Sequence, residues 1–96
     1  MSLEAAKAHL AECRTKIDEV DRRILHLLNE RTKIVEVIGR VKEEHSLPVY
    51  EPKREDEVFR NVVDHNEGPL PNDAVKRIFE RLIDEMRTVQ KLRMQK

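Results

Sequence analysis

The chain has 96 residues, which suits one domain with a modest core, and we expect a single domain over residues 1–96. Its nineteen lysines and arginines balance nineteen aspartates and glutamates, so no net field favours nucleic acid or a membrane surface. Charged residues make up 40% of the chain and aromatic residues 3%, a balance that favours helices with solvated faces over a β-sandwich or a base-stacking surface.

Residues 4–44 are predicted to form one very long helix. An apolar heptad seam runs along it and is interrupted by a single charge. The seam positions are Leu3, Ala6, Leu10, Cys13, Ile17, Val20, Ile24, Leu27, Arg31, Ile34, Ile38 and Val41. Such a helix would span ~60 Å, whereas a compact globule of this length measures ~32 Å across. Because two shorter helices cannot cover this seam, we expect a second copy of the chain to do so in a two-fold homodimer.

Two proline-containing breaks, at residues 44–52 and 65–72, separate the long helix from two shorter ones. The second predicted helix covers residues 52–65 and starts with Pro52, a favoured first helical residue. The third covers residues 72–93 and carries an apolar stripe that includes Leu82 and Met86. The pattern therefore predicts an all-α protein with three helices per chain.

Arg31 indicates an anion site, because a guanidinium on an apolar seam is costly to bury unless an anionic group meets it. Lys42 follows three turns later on the same helix face, within ~20° and ~16 Å along the axis. Both side chains would reach a small anion lying between them. Arg14 is ~25 Å from Arg31 along the axis, so it would join the same pocket only from the partner chain of an antiparallel dimer.

Four further polar residues are candidates for the same site. Glu51, Arg54 and Glu55 fall about one turn apart at the start of the second helix, whose N-terminus favours anions. Gln90 lies beside the apolar stripe of the third helix, where its amide would turn inward as a neutral donor. Taken singly, Arg54, Glu55 and Gln90 are better explained as solvated helix residues.

Five segments in this order resemble the AroQ-type chorismate mutases, and the resemblance covers about Leu3 to Lys91. The segments are Cys13-Arg14-Thr15-Lys16-Ile17-Asp18, Leu28-Asn29-Glu30-Arg31, Val37-Ile38-Gly39-Arg40-Val41-Lys42, Pro48-Val49-Tyr50-Glu51-Pro52-Lys53-Arg54-Glu55, and Arg77-Ile78-Phe79 followed by Gln90. The resemblance implies an intertwined homodimeric helical bundle with active sites shared between the chains. Glu51 stands where the family commonly has aspartate. Met86 stands where some members have serine, so a hydroxyl contact to the ligand would be missing.

The family rearranges chorismate, a dicarboxylate, to prephenate in phenylalanine and tyrosine biosynthesis. This pericyclic shift needs no nucleophile, metal or cofactor, and the sequence shows no catalytic triad, metal-spaced cluster or glycine-rich phosphate loop. The implied substrate-binding residues are Arg31, Lys42, Glu51, Arg54, Glu55, Met86 and Gln90 of one chain and Arg14 of the other, with Lys42, Gln90 and Arg31 as the catalytic group. The implied roles are donation to the breaking ether oxygen by Lys42 and Gln90, carboxylate binding by Arg14, Arg31 and Arg54, and contact with the ring hydroxyl by Glu55 and the loop around Glu51.

Two other functions remain open. An isochorismate pyruvate-lyase shares the AroQ fold and a similar cationic pocket. A non-catalytic helical dimer would serve as a regulatory or interaction module, and some chorismate mutase domains associate with the first enzyme of the shikimate pathway. The lone Cys13 excludes an intrachain disulfide, and we find neither a membrane-length apolar stretch nor a signal-peptide pattern, so we expect a cytoplasmic protein.

Overall fold

The computed structural model describes residues 1–94, apart from the side chain of Met94. They form three α-helices: α1 covers Leu3–Glu44, α2 covers Pro52–Asp64 and α3 covers Asn72–Met94. The described range contains no β-strand, which confirms the predicted all-α class, and each helix end lies within one residue of its predicted position. None of the described helices is both long and apolar enough to cross a membrane, and the cytoplasmic location stays a prediction.

The end of α1 is a Schellman motif, in which backbone donors beyond the helix satisfy its last carbonyls. The amide of Leu47 donates to the carbonyl of Lys42 at 2.8 Å, and that of Ser46 donates to Glu43 at 3.3 Å. Ser46 adopts the left-handed conformation that this motif requires, with φ 54°. The chain therefore reverses directly after Lys42 and returns past its side chain.

A short turn organised by Asn66 joins α2 to α3. Its side-chain nitrogen donates to the carbonyl of Leu70 at 2.8 Å and to the side-chain oxygen of Asn72 at 2.7 Å, while its own oxygen accepts the amide of Gly68 at 3.1 Å. Gly68 has φ 74°, which glycine adopts without the steric cost of a Cβ atom. This turn lets α2 and α3 pack against each other.

The chain divides into two compact units, Met1–Arg31 and Thr32–Lys96. The first unit consists mainly of the N-terminal part of α1, and the second contains the rest of α1 with α2 and α3. The expectation of one domain over residues 1–96 stays a prediction.

The core of the second unit is small, and its buried side chains come from α1 and α3. Its buried apolar side chains are Val35, Val75, Ile83 and Met86. Gly39 is also buried, and a Cβ atom built on it would lie 3.6 Å from Cα of Gln90. The backbones of α1 and α3 therefore approach each other closely at this point.

The face of α1 that turns toward this core is not the heptad seam. The buried residues of α1 are Val35, Gly39 and Lys42, whereas the seam residues Ile34 and Ile38 are 61% and 40% exposed in the single chain. Adjacent helix positions differ by 100°, so the two stripes lie about a quarter turn apart. The part of α1 that belongs to the second unit thus packs one face against its own chain. A second face of this part is apolar and is exposed in the single chain.

Candidate active site

Lys42 is the charged residue around which the site is organised, and it is only 7% exposed. Its Nζ donates to the carbonyl of Val49 and to Oε1 of Gln90, both at 3.2 Å, and lies 3.5 Å from Oε1 of Glu51. A lysine ammonium has three donors, and these three acceptors match them. Burial of the cation is tolerated because its donors are satisfied. The acceptors come from the loop after α1 and from the end of α3, and together they fix the position of the ammonium group.

Gln90 turns inward, as the sequence analysis expects. An ammonium group only donates, so the side-chain oxygen of Gln90 must face Lys42, and the amide nitrogen is directed elsewhere. That nitrogen is a neutral donor beside a cationic donor. The structure brings these two predicted catalytic residues together, and their roles in a reaction stay predictions.

Glu55 contacts Arg87, a residue that the sequence analysis does not identify. The carboxylate oxygen Oε2 of Glu55 accepts from Nη2 of Arg87 at 2.5 Å, and Nη1 of Arg87 lies 3.4 Å from Oδ1 of Asp84. The guanidinium also lies over the ring of Tyr50, with Cζ 5.2 Å from the ring centroid. The hydrogen bond from Arg87 to Glu55 outweighs partial burial and raises the pKa of Arg87.

One signal in the sequence would have identified Arg87. It precedes Gln90 by three residues, which places the two side chains on neighbouring turns of one helix face. It also adjoins Met86, which the resemblance assigns to the site. Tyr50 similarly lies between Val49 and Glu51, both of which contact Lys42.

Met86 is buried, and the hydroxyl of Thr32 donates to its sulfur atom at 3.5 Å. Some members of the AroQ family have serine at this position, so the sequence analysis expects a missing hydroxyl contact. In this structure a hydroxyl lies beside position 86, although it comes from α1 and not from α3.

Arg54 is exposed and bonds to Glu57 on its own helix, with Nη1 and Oε2 separated by 3.3 Å. The structure therefore directs this predicted carboxylate ligand along the surface of α2 and does not bring it to Lys42. An exposed pair of this kind contributes only ~0.2–1 kcal/mol, so rotation of Arg54 toward an anion costs little.

Arg14 and Arg31 belong to the first unit. Arg14 is exposed, whereas Arg31 is half-buried and has an interaction partner. The half-burial agrees with the argument that Arg31 is not an ordinary surface charge. Their assignment to a substrate site stays a prediction.

The described residues contain no group of three or more His, Cys, Asp or Glu side chains arranged to hold a metal ion. The charged groups that converge are instead Lys42 with Glu51, and Arg87 with Glu55 and Asp84. Each of these two cations is therefore paired with at least one carboxylate in the single chain.

Residues 13–91 match the family model for chorismate mutase type II. The chain belongs to this family. The match covers α1 from Cys13 onward, the whole of α2, and α3 as far as Lys91, and so includes Lys42 and Gln90. It confirms the resemblance drawn from the five sequence segments.

Three similar proteins illustrate this membership. The chorismate mutase of Methanocaldococcus jannaschii is 34% identical over 86 residues, which are 85% of this chain and 84% of that protein. The bifunctional chorismate mutase/prephenate dehydratase of Aquifex aeolicus is 36% identical, over 85% of this chain but only 24% of its own length. A crystal structure of chorismate mutase from Helicobacter pylori in complex with prephenate superimposes with a TM-score of 0.86 at 25% identity, covering 93% of this chain and 97% of that one.

The chain spans about a quarter of the length of the first of the bifunctional relatives. The share is much larger for the Methanocaldococcus chorismate mutase, of which this chain covers 84%. The common element is therefore the helical chorismate mutase unit, which these relatives carry either alone or as part of a longer protein.

Proposed function

We propose that this protein is a chorismate mutase that rearranges chorismate to prephenate. The observation that carries the proposal is the contact between buried Lys42 and half-buried Gln90, in which Nζ donates to Oε1 at 3.2 Å. A relative of the same fold has been solved with prephenate bound, which is the expected product.

The reaction is intramolecular, so the protein has to hold a flexible substrate in its reactive conformer and stabilise charge that develops on the breaking ether oxygen. Lys42 supplies a fixed positive donor, and the amide nitrogen of Gln90 supplies a neutral one beside it. Both donors are held before the substrate arrives, so little reorganisation accompanies the reaction.

Substrate binding frees one donor of Lys42 from its present acceptors. Glu51 is the one to be displaced, because its contact with Nζ is the longest at 3.5 Å and its side chain is 44% exposed. The carbonyl of Val49 and the oxygen of Gln90 then keep the ammonium in place. Once displaced, Glu51 and the nearby Glu55 accept the ring hydroxyl of the substrate.

The two substrate carboxylates are assigned to Arg31, Arg54 and the partner's Arg14. Guanidinium groups bind carboxylates through paired hydrogen bonds, which orients the substrate as well as attracting it. Arg54 exchanges its exposed contact with Glu57 for the substrate. Arg31 is already half-buried.

The functional unit is a homodimer with shared sites. Support comes from the apolar heptad seam, whose residues Ile17, Val20, Ile24, Leu27, Ile34, Ile38 and Val41 are all exposed in the single chain. A stripe of this length on a soluble helix is covered by another helix, and a two-fold arrangement covers both copies at once. Association with the first enzyme of the shikimate pathway stays a prediction.

Turnover of chorismate by the purified protein tests the proposal directly. We expect consumption of chorismate with stoichiometric formation of prephenate, and loss of this activity in Arg31→Ala. Isochorismate is the second substrate in the same assay. Release of salicylate and pyruvate from isochorismate, with no prephenate from chorismate, would identify a lyase, and a folded protein inactive on both would favour the interaction module.

A further inference from the structure

Arg87 connects three parts of the second unit at one point. It belongs to α3, it bonds to Glu55 on α2, and its guanidinium lies over Tyr50 in the segment between α1 and α2. The side chains of Arg87 and Glu55 are 26% and 23% exposed, so the pair is shielded from solvent far more than the surface pairs of the same helix. None of these contacts is needed to form the helices themselves.

The segment that Tyr50 belongs to also fixes Lys42. Lys42 contacts Val49 and Glu51 of this segment. Arg87 contacts Tyr50, the residue between them. A displacement of Tyr50 would therefore move two of the three acceptors of the buried ammonium, those of Val49 and Glu51. Arg87 thus reaches the Lys42 group through this segment, and it reaches Glu55 directly.

We propose that Arg87 is a positioning residue for the chorismate mutase reaction, which orients Glu55 and holds the segment of residues 49–51 against Lys42. The inference rests on the proposed function and adds to it a residue that does not itself contact the substrate. With Oε2 bound to Arg87, the second oxygen of Glu55 is the one presented to the ring hydroxyl. The planar guanidinium can fix this direction and lie over the ring of Tyr50 at the same time, whereas an ammonium group lacks the fork geometry that fixes the direction.

The arrangement is poorly explained by stability alone. Within the described part of the chain, Nε of Arg87 is buried without a hydrogen-bond partner, which is a cost that a simple packing residue would avoid. Replacement of a shielded ion pair by apolar residues is often neutral or stabilising. A charged residue retained here is therefore better explained by the direction that it imposes on Glu55 and Tyr50.

A double-mutant cycle with Arg87→Met, Glu55→Ala and the double variant tests the inference. We expect Arg87→Met to lower kcat/KM for chorismate about tenfold in the wild-type background. In the Glu55→Ala background we expect a smaller further loss of about threefold, because only the contact of Arg87 with Tyr50 remains to be removed there. Arg87→Lys, which keeps the charge but not the planar fork, should recover only part of the activity. Arg81→Met is the matched control, because Arg81 forms an exposed pair with Glu85 on the same helix at 2.8 Å.

A second readout is independent of turnover. Tyr50 is the only tyrosine and the chain has no tryptophan, so the tyrosine band in the near-ultraviolet circular dichroism spectrum reports on this ring alone. We expect Arg87→Met to weaken this band at unchanged helix content, Arg87→Lys to weaken it less, and Arg81→Met to leave it unchanged.

Three outcomes would overturn the inference: wild-type kcat/KM in Arg87→Met, an equal tenfold loss in the Glu55→Ala background, or a tyrosine band that Arg87 variants do not alter. If Arg87→Met does not fold, the comparison of Arg87→Lys with the wild type decides in the same assays. A wild-type protein without turnover of chorismate would refute the proposed function and the catalytic part of the inference. The tyrosine band would still decide whether Arg87 holds the segment.

Discussion

At the scale of single residues, the site depends on a buried cation whose three acceptors come from two different elements. Val49 and Glu51 follow α1, and Gln90 lies near the end of α3. An unsatisfied ammonium at this depth would cost several kcal/mol, so the position of Lys42 and the closure of the loop are interdependent. The contacts that compensate for the burial of Lys42 also fix the position of its ammonium group.

We predict that Lys42→Met lowers kcat about 10²–10³-fold, because it removes a preorganised donor to the ether oxygen. Methionine has a similar length and fills the space left by the lysine stem. Steady-state kinetics with chorismate measure the effect, and a thermal melt shows whether the variant is folded. Lys33→Met is the control, since Lys33 is exposed on the same helix. Near-wild-type turnover in folded Lys42→Met would contradict the assigned role.

At the scale of helices, the packing of α1 on α3 is set by the close approach at Gly39. The hypothetical Cβ atom lies 3.6–3.7 Å from the backbone and side chain of Gln90, which is an ordinary van der Waals distance. The position therefore has room for a methyl group but not for a larger side chain. Any larger residue would push directly on Gln90, which holds Lys42.

We predict that Gly39→Ala raises the free energy of unfolding by about 0.5–1 kcal/mol and leaves turnover within about twofold of the wild type. Alanine lowers the entropy of the unfolded chain and favours the helix, and its methyl group fits the available space. Gly39→Leu, in contrast, should lower kcat and stability together. Denaturant unfolding and chorismate kinetics on the two variants provide the comparison, and an alanine variant with reduced activity would show that the approach of α1 to α3 is tighter than the structure indicates.

At the scale of the whole molecule, the single chain leaves an apolar face of α1 exposed along both units. Ile17 in the first unit is 57% exposed, and Ile34 in the second is 61% exposed. The inner residues Val35, Gly39 and Lys42 already contact the chain's own helices. We expect a second copy of the chain to cover this face and to bring Arg14 of one chain to the site of the other.

We predict that Ile17→Lys dissociates the dimer. Loss of one buried isoleucine costs about 1.5–3 kcal/mol, and two-fold symmetry doubles this to about 3–6 kcal/mol, so the dissociation constant should rise about 10²–10⁴-fold. Analytical ultracentrifugation over a range of concentrations measures the change. Thr15→Lys introduces the same charge on the opposite face of α1 and should leave the dimer intact. A wild-type protein that sediments as a monomer at micromolar concentration would refute the dimer.

The sequence by itself determined the three helices, their ends and the family. These features are local: the apolar period of α1, the prolines and glycine of the two breaks, and ordered motifs such as the segment from Pro48 to Glu55. Local patterns also singled out Lys42 and Gln90. They could not show that these two residues, 48 positions apart, share a hydrogen bond.

Only the tertiary structure decided which stripe of α1 faces its own chain and which partners the charged residues take. Ile34 and Val35 are equally apolar in sequence, but the rotation of α1 against α3 buries Val35 and leaves Ile34 exposed. The packing of α2 on α3 pairs Glu55 with Arg87 and leaves Arg54 with Glu57. Helix periodicity fixes the angles between residues of one helix, whereas the register between two helices follows from close packing across the whole interface.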